Sequence, residues 1–156
     1  MKKMVFSLAL ILAFSTYAQD AKVTDEQKIK HIIHQFFESL EKKDAVLMQE
    51  TTMDDAQIWR RYNHKKPIEM DMRFSKDDLP KMHTLPDVKE VALDFEISVG
   101  NGIAMAWVPY EFWVGDTFSH CGVDAFTLFE VEGKWKIISA AYTVEKEKCK
   151  RLTEKR

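Results

Sequence analysis

His120 and Asp124 stand four residues apart in the stretch HCGVDAFTLFE. On a strand that spacing sends an imidazole and a carboxylate out of one face, together with Gly122, Phe126 and Leu128. In an apolar cavity both groups leave their ordinary pKa values. A carboxylate raised by burial can shuttle a proton next to a carbonyl, and a nearby His or Tyr can stabilise the developing oxyanion. The same two residues also fit a structural role, with Asp124 accepting hydrogen bonds from an arginine or backbone and His120 at a rim. Trp59, Trp107, Tyr110, Phe112 and Tyr142 could wall a pocket for a flat or greasy small molecule. Equally, they could be plain core. Arg60 and Arg61 alternate along their stretch, so one of them faces inward, toward an acidic ligand or Asp124.

Other chemistries find less support. His31, His34 and Glu38 share one helix face at a spacing that could hold a metal. A solvated polar face explains them as well, because nothing closes the site, and no metal is expected. No glycine-rich phosphate loop, Ser-His-Asp signature or Cys-x-x-Cys is present, and no cofactor is expected. The basic residues number 23 against 25 acidic ones, which excludes the basic footprint of a nucleic-acid binder.

The chain opens MKKMVFSLALILAFSTYAQD. Lys2 and Lys3, the apolar run Val5 to Phe14 and Thr16-Tyr17-Ala18 form a signal peptide, residues 1–18, cleaved near Ala18. The apolar run is too short for a comfortable membrane span. The mature protein is therefore expected to be periplasmic or secreted, with no membrane segment. Residues 19–145 make one domain, and 146–156 a charged tail. Cys121 and Cys149 are the only cysteines. An even count in an oxidising compartment predicts a disulfide between them, tying down the last strand.

The elements that must position these residues read in order. Thr24 and Gln27 form a capping box, and Ile29, Ile32, Ile33, Phe36, Phe37 and Leu40 make one apolar stripe on a helix to about Lys42. Asp44 caps a second, short helix ending near Met53. Ala56–Tyr62 reads as a short strand, Ile68–Phe74 is ambiguous, and Ser75 opens a third, short helix to about His83. Val88–Val99 reads as one strand with Val91, Leu93, Phe95, Ile97 and Val99 on its buried face. Ile103–Val114 returns antiparallel. A bulge at Val108-Pro109 would put Ile103, Met105, Trp107, Tyr110, Phe112 and Val114 on one side. His120–Thr143 is a hairpin turning at Gly133. Phe126, Leu128, Ile138 and Tyr142 lie on one face; Val123, Phe129, Trp135 and Ile137 lie on the other.

Helices followed by a run of antiparallel strands give an α+β class. The turn Glu132-Gly133-Lys134-Trp135-Lys136-Ile137, after two earlier strands and the helical layer SLEKKDAVLMQETTMDDAQIW, resembles the nuclear transport factor 2-like superfamily. That group includes SnoaL-like cyclases and ketosteroid isomerases. The resemblance implies a cone: a strongly curved antiparallel sheet wrapped around the N-terminal long helix, with two shorter helices and a cavity between. It hosts isomerases, cyclases, dehydratases and pure binding domains, so it does not fix an activity. The expected function is an exported domain that binds a small apolar or aromatic molecule. The alternatives are a cofactor-free isomerase, dehydratase or cyclase using Asp124 and His120, and a dimeric interaction module. Parity expects His120, Asp124, Tyr110, Trp107 and Tyr142 in one cavity, with Trp59 near its mouth. Members of the superfamily often pair through the convex sheet face, and Val123, Phe129, Trp135 and Ile137 are expected to form such a homodimer interface.

Overall fold

Thr24 accepts from the Gln27 backbone while the Gln27 side chain accepts from the Thr24 backbone, and this box starts α1, Asp25–Lys42. Asp44 caps α2, Ala45–Thr51, by accepting from Val46 and Leu47. The computed structural model describes residues 23–147 and 149; the expected signal peptide and most of the charged tail lie outside them. The strands are β1 (Thr52–Tyr62), β2 (Glu69–Phe74), β3 (Val88–Ala92), β4 (Glu96–Val99), β5 (Ile103–Val114), β6 (Thr117–Val131) and β7 (Lys134–Val144). A short α3, Ser75–Asp78, runs into a 3-10 turn, Leu79–Thr84, between β2 and β3.

All seven strands form one curved sheet in the order β2-β1-β7-β6-β5-β3, with β4 also on β5. The expected antiparallel sheet needs one correction: β1 and β7 run parallel. A two-residue hairpin cannot make such a pair, so the two halves of the sheet meet only through this long-range contact. The apolar stripe of α1, Ile29, Ile33, Phe36 and Phe37, is buried against Ala104, Ala106, Val108, Phe126, Leu128, Trp135 and Ile137. Each large side chain so buried contributes roughly 1.5–3 kcal/mol. On the far side of α1 the ring of exposed His34 packs edge-on against Phe95, 5.2 Å away, and Glu38 pairs with Lys42. His31, His34 and Glu38 are not among any cluster of metal-binding groups in the described residues.

Two irregularities decide which side chains face inward. The bulge expected at Val108-Pro109 is absent, and β5 pairs with β6 without a break from Ile103 to Phe112. In an antiparallel strand a residue's N–H and C=O point the same way. The Pro109 carbonyl accepts from Leu93, so the missing Pro109 N–H falls on the β3–β4 side. There the expected single strand Val88–Val99 breaks into β3 and β4. Even-numbered residues of β5 from Ala104 to Phe112 therefore face inward, and Ile103, Met105 and Trp107 face out. The real slip is in β7, where Thr127 pairs with Ser139 but Leu128 pairs with Ile137. Ile138 is the extra residue. The bulge turns Trp135 and Ile137 inward together with Ala140, Tyr142 and Val144, so Ile137 and Trp135 are core and not a dimer face.

Candidate functional site

At the wider end of the cone the inner face changes character. Inward positions on β1 and β2 are Arg60, Tyr62, Asp71 and Arg73, while Trp59, Met70 and Met72 of the same strands are exposed outside. Across the sheet, Glu90 of β3, Tyr110 and Phe112 of β5, His120 and Asp124 of β6 and Tyr142 of β7 complete the ring. All of these inward residues except Asp71 line a cavity of about 300 Å³, closed on the helix side by Phe36, Leu40 and Met48. A volume of this order suits a small bicyclic molecule.

Tyr110 is the fixed point of the site. Its ring crosses β6 at Gly122, and its hydroxyl donates to the Thr143 carbonyl at 2.7 Å. Burial pushes its phenol above the ordinary tyrosine range. His120 stacks on Phe112, with ring centres 4.7 Å apart, and meets Tyr110 edge-on. Burial, helped by His64, Lys146 and Arg60 nearby, lowers its pKa to about 4, so its imidazole is neutral at ordinary pH. Arg60 donates twice to Asp71 Oδ2 and lies over the Tyr62 ring. Arg73 Nε donates to Asp78 Oδ2 at 2.5 Å, and its guanidinium carbon sits 5.9 Å from the centre of the Tyr142 ring.

Asp124 is 3% exposed. Its partner is Glu90 of β3. Burial raises both carboxyls, Glu90 to about 8 and Asp124 well above its ordinary range, and the two share a hydrogen bond. Two carboxylates in one buried place cannot both ionise, so the pair holds protons at neutral pH. Asp124 and His120 both line the cavity, and Glu90 is the carboxyl that couples to Asp124 there.

Of the expected aromatic wall, Tyr110, Phe112 and Tyr142 line the cavity. Trp107 and Trp59 do not: they are 45% and 44% exposed on the outer face. With no bulge in β5, Trp107 keeps the parity of Met105, and Trp59 lies beside Arg60 on the opposite face of β1. Cys121 is bonded to Cys149 as expected, with Cα atoms 5.7 Å apart. The bridge joins β6 to the chain just beyond β7, where Cys121 and Glu145 exchange backbone hydrogen bonds. Glu90 and Arg73 were missed. For Arg73 the signal was the polar row Glu69, Asp71, Arg73, alternating with Met70, Met72 and Phe74, which reads naturally as a surface.

Comparison with known proteins agrees with this fold. Residues 24–143 match the profile of a family described as "putative lumazine-binding". No curated protein matches. Among solved structures, a nuclear transport factor 2-like protein from Cytophaga hutchinsonii superposes with a TM-score of 0.65 at 12% identity, covering 78% of this chain and 99% of that one. A protein of unknown function with a cystatin-like fold from Nostoc punctiforme gives 0.63 at 14% identity, covering 79% and 92%. A nuclear transport factor 2-like superfamily protein from Salmonella enterica gives 0.61 at 14%, covering 78% and 92%. At these identities the likeness is one of fold. The chain has the nuclear transport factor 2-like fold, and it belongs to the lumazine-binding-like family.

Proposed function

We propose that this is an exported small-molecule-binding protein whose ligand lies inside the cone, against Tyr110, Phe112 and Tyr142. One observation carries the reading: the inner face is apolar under α1 but aromatic and polar around a cavity of about 300 Å³. A fold that needed only a core would fill that volume, because interiors are close-packed. The family's description supports a flat heteroaromatic ligand. Export is supported by the Lys2–Ala18 pattern and by the Cys121–Cys149 bridge, since such bridges are rare in reducing compartments. Titration of the intrinsic fluorescence with naphthalene and with lumazine tests the binding. Saturable one-site binding is expected for at least one probe, and Ala140→Leu, which fills the cavity floor, should remove it. If neither probe binds, the reading fails.

A cofactor-free isomerase, dehydratase or cyclase is the second reading, favoured by the Glu90–Asp124 acid pair. A ligand bound with its carbonyl against Asp124 would support it; one bound with only apolar atoms there would sink it.

The outer face supports a homodimer. Trp59, Met72, Met105, Trp107 and Phe129 are all more than a third exposed there. Pairing across the sheet puts Ala141 and Ala125 between Trp59 and Trp107, a shallow apolar saddle. Patches of this kind mark association sites. Combining Trp107→Glu with Met105→Glu is expected to halve the sedimenting mass and leave the thermal midpoint within a few degrees. A wild-type chain that sediments as a monomer at high concentration refutes it.

A further inference from the structure

Among the described residues, two buried side-chain polar atoms stand without a hydrogen-bond partner: Arg73 Nη1 and Asp124 Oδ2. They belong to different strands, yet both residues line the one cavity. Tyr142 stands between them. It is the cross-strand partner of Asp124, and the Arg73 guanidinium lies toward its ring. Buried polar groups are nearly always paired, so an unpaired donor and an unpaired acceptor facing one space describe what should fill it.

The charges around them narrow the choice. Asp78 already holds Arg73, and Asp71 holds Arg60, so neither guanidinium calls for a whole counter-charge. A cationic ligand would face both arginines, and an anionic one would find each arginine already paired with an aspartate. Asp124 Oδ2 is buried with no donor beside it, so it offers an acceptor to whatever occupies the cavity. The complement is a neutral group offering a donor and an acceptor side by side.

We propose that the cavity recognises a planar heterocycle through a cyclic amide or imide edge. The ligand's carbonyl oxygen accepts from Arg73 Nη1, its ring N–H donates to Asp124 Oδ2, and its ring lies against Tyr142. This rests on the binding reading above and assigns the selectivity to two residues. A site built to hydrogen-bond a ligand rejects analogues that lack the group, since its own buried atoms are then stranded.

The test compares three probes on the full mature chain: lumazine, 1,3-dimethyllumazine, which has lost both ring N–H groups, and naphthalene, which keeps only a flat bicyclic shape. Lumazine is expected to bind about tenfold or more tighter than either of the others. Arg73→Met and Asp124→Leu should each lose about tenfold in lumazine affinity and leave naphthalene within about twofold. Retained naphthalene binding shows that a variant is folded. Calorimetry in buffers of different ionisation enthalpy should show no net proton exchange when lumazine binds. If naphthalene binds but lumazine is not preferred, the inference falls and the binding reading stands. The same holds if 1,3-dimethyllumazine equals lumazine on the wild-type chain, or if a folded variant keeps lumazine affinity. If no probe binds, both fall.

Discussion

Gly122→Ala is expected to destabilise the protein by about 3 kcal/mol or more, although the new methyl group is the smallest addition possible. A Cβ at this position would lie 1.9 Å from the Thr143 carbonyl oxygen and 2.7 Å from Tyr110 Cε1. The first is backbone of the adjoining strand, so no side-chain rotation can relieve it. The second is the ring held by its hydrogen bond to that same carbonyl. One substitution thus forces β6 away from β7 and unseats Tyr110 from the cavity wall. Gly133→Ala is the control. Its φ is 78°, but nothing lies within 4 Å of the new atom, so only the left-handed backbone penalty of about 1 kcal/mol applies. Urea unfolding of both variants settles the matter. Equal midpoints for the two would mean that the strands part freely at Gly122.

Stability should also fall as pH rises from about 6.5 to about 8. The sign follows from proton uptake. Glu90 has its pKa raised from 4.5 to about 8, and Asp124 is raised from 3.8, both chiefly by burial. The folded state keeps protons that the unfolded chain has released, so stability declines with pH across that interval. The slope is up to ~1.4 kcal/mol per pH unit for each retained proton. His120 acts in the opposite sense. Its pKa is lowered from 6.5 to about 4, so between those values the unfolded chain binds the extra proton and stability rises with pH. The two effects oppose each other in the acid range, and only the carboxyls remain above about 6.5. Denaturant curves across this window should show the decline in the wild type. Glu90→Gln should be flatter and more stable at the alkaline end. A wild-type stability that is constant or rising over the window would show that the pair is ionised.

Much of the fold was legible because α1 and its cap obey local rules. Thr24, Gln27 and the stripe from Ile29 to Leu40 need no tertiary information, and Asp44 marks α2 in the same way. Parity along the strands was less legible, and the reason is physical. Periodicity assumes that the apolar face looks inward. Around the cavity the assumption inverts: Arg60, Asp71, Arg73 and Glu90 face in, while Trp59, Met70, Met72 and Val91 face away. On β5 the inward residues under α1 are Ala104, Ala106 and Val108, smaller than the outward Ile103, Met105 and Trp107, because a helix lies on them. Reading size as burial therefore selected the wrong side. His120 and Asp124 were placed in the cavity because β6 keeps one register from His120 to Phe129 against β5, and Tyr142 because it is the partner of Asp124 across the sheet. Glu90 and Arg73 sit where polar alternation mimics an exposed edge, and no local pattern distinguishes the two.

The parallel pairing of β1 with β7 has a consequence for how the chain can be made. His64 reaches the Val144 carbonyl across 80 residues of sequence, and Asn63 meets Glu145 across 82. The last strand is thus not an edge but the seam between the β2-β1 half and the rest of the sheet. Without residues 134–144 the sheet has no strand to join β1 to β6, and the cavity lacks the wall that Tyr142 supplies. Closure of so long a loop comes late and slowly. The order of the strands therefore leaves the sheet unclosed until residues 134–144 have been made.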